Sequence, residues 1–184
     1  MKPCIFVAMV LFFGLIFWSQ SVLASGHIES GEVLADVVLL APENQQEKDY
    51  LGIEEKKEFR LKDLDAEYFL IEVVGAYCPI CHAQSTEINQ LFNRISGNEQ
   101  LGSRLLMFSV VSGATDMEIE YLKSTWNAPY PMLPDYEYDF LQAIGNPDVP
   151  FTLIVSRDGE VHYAHLGKVP ELSEFMEILR EIVK

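Results

Sequence analysis

Basic side chains are scarce in this 184-residue chain: 13 lysines and arginines stand against 28 aspartates and glutamates, a formal charge of −15. Phosphate backbones are held by cations that displace counterions, so this balance excludes a nucleic-acid partner. Cysteine is scarcer still, with three in all. That rules out a small fold stapled by disulfides and leaves the spacing of the cysteines to carry their meaning. Repeats, low-complexity tracts and a second domain are also missing. What is present, with 49% hydrophobic residues, suffices to close the core of one domain.

The longest apolar run lies at the start. Lys2 precedes the stretch from Ile5 to Trp18, and Val22-Leu23-Ala24 supplies a small-residue cleavage site. This is the pattern of a secretory signal peptide covering residues 1–24. The alternative is an uncleaved membrane anchor through residues 5–24, a length that just reaches the roughly 20 residues of a spanning helix. Cys4 precedes the apolar run and goes with the discarded segment. Losing Lys2 leaves 12 basic residues against 28 acidic, a charge of −16. It also leaves two cysteines, in an extracytoplasmic compartment where disulfides persist.

Beyond Gly26 the chain is acidic and polar around two islands, Val33 to Leu40 and Tyr50 to Ile53. Val37 to Leu40 reads as an edge strand, Ala41 to Asn44 as a turn, and Phe59 to Leu61 as a short strand. Phe69 to Gly75 reads as a buried central strand, apolar on both faces except at Glu72. Helical spacing follows from Ala83 to Ile95, then a second buried strand from Arg104 to Val111. Thr115 or Asp116 caps a helix reaching Ser124, with Met117, Ile119, Tyr121 and Leu122 as its apolar positions. Trp126 to Asp139 is loop with a short strand, and Tyr138 to Ile144 one or two helical turns. Phe151 to Val155 and Val161 to Leu166 form a hairpin closed at Asp158-Gly159. An apolar stripe from Leu172 to Val183 predicts a closing helix. The alternation predicts an α/β fold with a mixed sheet flanked by helices.

The chemistry gathers at Cys78-Pro79-Ile80-Cys81-His82, where the central strand hands over to a helix. The positive end of a helix stabilises a thiolate, so Cys78 is the expected nucleophile, and Pro79 suits the first helical turn. Cys81 lies one turn on and can attack a mixed disulfide formed at Cys78. Glu72, an acid in an apolar strand, is expected to have a raised pKa and to pass protons, the alternative being a hydrated edge position. His82 is read as a solvated helix-surface residue, or as a cation that favours the thiolate. His27, His162 and His165 are read as structural or exposed. Trp126, Tyr130 and Met132 suit either a groove border or the core.

Phe69 to Cys81, Arg104 to Ser112, Pro131 to Asp135, Asp148 to Val155, Asp158-Gly159-Glu160 and His165-Leu166-Gly167 together resemble bacterial thioredoxin-like proteins of the TlpA/ResA type. The resemblance implies a thioredoxin fold over residues 59–184, preceded by an N-terminal extension over 25–58. It implies a redox-active disulfide between Cys78 and Cys81 and a cis-proline at Pro150 facing the pair. Val149 would offer backbone hydrogen bonds to a substrate strand, with Tyr77, Pro79 and Ile80 completing the substrate-binding surface. Glu72 matches the family's buried acid. Tyr77 stands where many relatives carry Trp, Gln84 where they often carry Glu, and Phe151 where Thr is common, a change expected to narrow the groove. The implied activity is thiol:disulfide exchange with exported proteins in a bacterial periplasm, as a monomer and without cofactor or metal. Reduction is the implied direction, as in cytochrome c maturation, with electrons from a membrane thiol transporter, although no residue fixes that direction.

Four other readings compete. CxxCH is also the covalent haem motif. A zinc site would need a fourth ligand beyond Cys78, Cys81 and His82. A peroxiredoxin-like peroxidase would need Pro and Thr ahead of its cysteine, where Val74 to Tyr77 stand. A non-catalytic binding module would merely rest oxidised.

Overall fold

The structure, a computed structural model, describes residues 26–184; the signal peptide or anchor expected over 1–24, with Cys4, lies outside the described residues. Two short strands, β1 (Leu39–Leu40) and β2 (Glu58–Phe59), flank helix α1 (Gln45–Leu51), and a 3-10 turn (Leu61–Asp63) follows. Then come β3 (Tyr68–Val74), α2 (Pro79–Ser96), α3 (Glu99–Gly102), β4 (Leu105–Ser112), α4 (Asp116–Trp126) and β5 (Met132–Asp135). The chain ends with α5 (Asp139–Ala143), β6 (Phe151–Ser156), β7 (Val161–Leu166) and α6 (Leu172–Ile182).

The main sheet runs β5-β4-β3-β6-β7, with β3, β4 and β5 parallel and β6 and β7 antiparallel to their neighbours. β3 is central because it can be: every residue from Phe69 to Val74 is buried, so it needs cover on both faces. Alternation sends Leu70 and Val74 toward α2, α4 and α6, and Phe69, Ile71 and Val73 toward the opposite core. That second core is closed by Phe140 of α5 and by Ile28, Leu34, Leu39, Leu51 and Ile53 from the N-terminal segment.

The mixed sheet flanked by helices read from the sequence is the one observed. Some local readings are corrected. Val37 to Leu40 was expected at a sheet edge; β1 pairs only with β2, in a separate ribbon. Helix α1 was not foreseen, because seven mostly polar residues carry too little periodicity; its start is set by Asn44, whose side chain accepts from the Gln46 and Glu47 N–H groups. On α4, Ile119 and Leu122 are buried, but Met117 and Tyr121 are exposed. The hairpin turn is where expected: Gly159 has φ of +91° and donates its N–H to Ser156. A Cβ there would meet the Leu34 carbonyl at 2.9 Å, so the turn demands glycine twice over.

Candidate active site

Cys78 is the N-cap of α2, and Pro79 occupies its first turn, where a missing N–H costs nothing. Cys78 and Cys81 are joined in a disulfide with Cα atoms 5.2 Å apart. The Cys81 N–H donates to Cys78 Sγ at 3.1 Å, as a capping oxygen would be addressed. Cys78 is half-buried whereas Cys81 is 1% exposed. The two sulfurs are therefore unequal: one meets solvent under a helix N-terminus, and the other lies in the core.

The surroundings come from loops the sheet brings together. Val149 and Pro150 are joined by a cis peptide bond, and the Val149 carbonyl oxygen lies 3.4 Å from Cys78 Sγ. The two loops touch closely, since a Cβ on Gly75 would sit 3.4 Å from Val149 Cγ2. Pro150 itself is buried, while Tyr77, Pro79 and Ile80 are exposed beside the disulfide. The Tyr77 hydroxyl donates to the Glu118 carboxylate at the start of α4. Phe151 does not narrow a groove: it is fully buried in the opposite core, edge-on to His27.

Glu72 is 1% exposed on β3. It lies between Leu70 and Val74 on the face turned to α2, in the layer that holds Cys81. Its neighbours in register are Ser109 on β4 and Thr152 on β6. The Thr152 hydroxyl donates to Oε1 at 2.8 Å, and Oε2 has no partner among the described residues. Burial raises the carboxyl to about 8, the Thr152 hydrogen bond opposing but not cancelling it.

Gln84, which stands where relatives often carry Glu, is buried and accepts the Val169 N–H at 3.2 Å, tying α2 to the loop before α6. His82 is not a solvated residue: Nδ1 lies 2.9 Å from the Trp126 indole nitrogen and Nε2 lies 3.0 Å from the Ala76 carbonyl. With both ring nitrogens engaged, axial ligation of a haem iron would cost one of these bonds. Trp126, Tyr130 and Met132 are core residues, not groove borders. Among the described residues no group of three or more His, Cys, Asp or Glu is placed to hold a metal ion, and no helix is long and apolar enough to cross a membrane.

Comparison with known proteins adds family and fold. The family model described as Redoxin matches residues 41–179. The thiol-disulfide oxidoreductase ResA of Halalkalibacterium halodurans is 21% identical over 128 residues, 68% of this chain and 70% of that protein. The thioredoxin domain of a thiol-disulfide oxidoreductase from Bacteroides vulgatus superimposes with a TM-score of 0.63 at 12% identity, over 85% of this chain and 99% of that one. StoA from Bacillus subtilis gives 0.59 at 10% identity, over 79% and 98%. The fold is therefore the thioredoxin fold, with an unequal cysteine pair at the head of its first long helix.

Proposed function

Because the chain belongs to the Redoxin family, we propose that it is a thiol:disulfide oxidoreductase working through Cys78 and Cys81. The observation that carries this reading is the disulfide at the N-terminus of α2, with one half-buried and one buried sulfur.

In the reduced protein the Cys78 thiolate, favoured by the helix N-terminus, attacks one sulfur of a substrate disulfide. A mixed disulfide forms and the other substrate sulfur leaves as a thiolate. Cys81 then gives up its proton and attacks Cys78 Sγ, releasing the second substrate thiolate. The substrate gains two electrons, its two thiolates take up the proton released by Cys81 and one from water, and the protein ends in its disulfide form. Glu72, titrating near 8, exchanges the Cys81 proton at neutral pH in either direction. Val149 and Pro150, with Tyr77, Pro79 and Ile80, form the surface that receives the substrate.

The chain is exported by residues 1–24 or anchored through 5–24, acts in a bacterial periplasm on exported thiol and disulfide proteins, and runs as a reductant fed by a membrane thiol donor. Cytochrome c maturation is the setting that the family resemblance favours. Residues 59–184 carry the exchange domain and 25–58 its extension. The test is capture in the native envelope. Cys81→Ser should accumulate mixed disulfides with exported proteins, and Cys78→Ser should form none and lose all protein-disulfide turnover. Turnover that survives Cys78→Ser would exclude this mechanism.

A further inference from the structure

An indole nitrogen can donate a hydrogen bond but not accept one. Trp126 Nε1–H therefore donates to His82 Nδ1 across 2.9 Å, and Nδ1 must present its lone pair. The ring proton then sits on Nε2, which donates to the Ala76 carbonyl at 3.0 Å. Chemistry, not convention, sets this tautomer: while both bonds stand, His82 is neutral. The anchor is itself held. Trp126 is 7% exposed, lies edge-on to the imidazole at 5.3 Å, and receives at its carbonyl a 2.7 Å hydrogen bond from Asn89 on α2. Ala76 precedes Cys78 by two residues and His82 follows Cys81 directly, so the bridge brackets the redox pair and fastens both sides of it to the end of α4.

We propose that His82, oriented by Trp126, is a positioning residue that latches the Ala76–Cys78 loop to α2 and so favours closure of the Cys78–Cys81 disulfide. The inference rests on the exchange reading of the pair. Closing a disulfide within one chain is governed by how much loop freedom is already removed before the sulfurs meet. Cys78 is fixed on its C-terminal side by α2. Without the latch its N-terminal side keeps the Cys78 N–H to Gly75 carbonyl bond, the exposed Tyr77 contact and the packing of Ala76 and Gly75 on the core and on Val149, but loses the side-chain bridge to α2.

The test uses the purified full chain equilibrated with reduced and oxidised glutathione. Trp126→Phe removes the indole donor and keeps an aromatic ring, with the loss of some buried volume. His82→Leu removes both, whereas His82→Gln retains one acceptor and one donor on its amide. Trp126→Phe and His82→Leu should weaken the disulfide three- to tenfold, tenfold being about 30 mV, and slow resolution of a glutathione mixed disulfide by Cys81 in proportion. His82→Gln should stay within twofold of wild type. Nitrogen-15 spectra of the His82 ring should place the proton on Nε2. A glutathione equilibrium unchanged in Trp126→Phe and His82→Leu, with only the melting temperature lowered, would reduce His82 to a structural residue and overturn the proposal. So would a proton found on Nδ1. If the wild type equilibrates with glutathione yet turns over no protein disulfide, the proposed activity fails, and the same equilibrium still decides the latch.

Discussion

At Glu72 desolvation outweighs the Thr152 hydrogen bond and lifts the carboxyl to about 8 from an ordinary 4.5. Between these values the folded chain holds a proton that the unfolded chain has released. Stability from this group is therefore complete below pH 4.5, falls as pH rises to about 8, and is level above that. The loss is on the order of 5 kcal/mol across the window, at 1.36 kcal/mol per unit. Glu72→Gln should flatten that decline, read from urea midpoints of the oxidised protein at pH 5 and 8.5. If Glu72 moves the Cys81 proton, the same substitution should also slow exchange by about 100-fold, measured as single-turnover reduction of a protein disulfide. An unaltered rate would leave Glu72 a burial cost without a role in proton transfer.

Among the elements, α4 links capping to the site. Thr115 and Glu118 form a reciprocal capping box, and the same Glu118 receives the Tyr77 hydroxyl. Thr115→Ala should cost about 1 kcal/mol of stability, checked by denaturant unfolding. Elements of this kind show where the sequence was readable. β3 was legible because six successive buried residues cannot be solvated, and the head of α2 because Cys78-Pro79 states a helix start in its own chemistry. Glu72 was legible as an anomaly in an apolar strand. Helix α1 was not, since its register depends on Leu51 finding a core built by distant strands. Met117 and Tyr121 are hydrophobic in type yet exposed, because α4 buries only the stripe through Ile119, Leu122 and Trp126. The latch at His82 gave no local signal, because its partner lies 44 positions on and only packing of α4 on α2 brings the two together.

For the whole molecule the N-terminal segment is the cover of the second core. Ile28, Leu34, Leu39, Leu51 and Ile53 are all buried against the face of the sheet turned away from the cysteines. The Tyr50 hydroxyl accepts the Met107 N–H at 3.1 Å. Each such side chain contributes about 1.5–3 kcal/mol, and a domain's entire stability is about 5–15 kcal/mol. A chain beginning at residue 59 should therefore lose its near-ultraviolet circular dichroism and bind hydrophobic dyes, even though every residue of the proposed exchange site is retained. A truncated chain with native spectra would show the segment to be dispensable.

The same segment settles what happens at the sides of the sheet. Gly31 N–H donates to the Val161 carbonyl at 2.7 Å, Val161 N–H to Glu32 at 2.9 Å, and Leu34 N–H to Gly159 at 2.8 Å, so the start of β7 already has a backbone partner. On the other side β5 is four residues long and holds Pro134, which has no N–H to offer, and β1 lies against it. Neither flank offers its full length to a strand from another copy. Crowded conditions should consequently not join the sheets edge to edge, and hydrogen exchange of the β5 and β7 amides should stay unchanged as concentration rises.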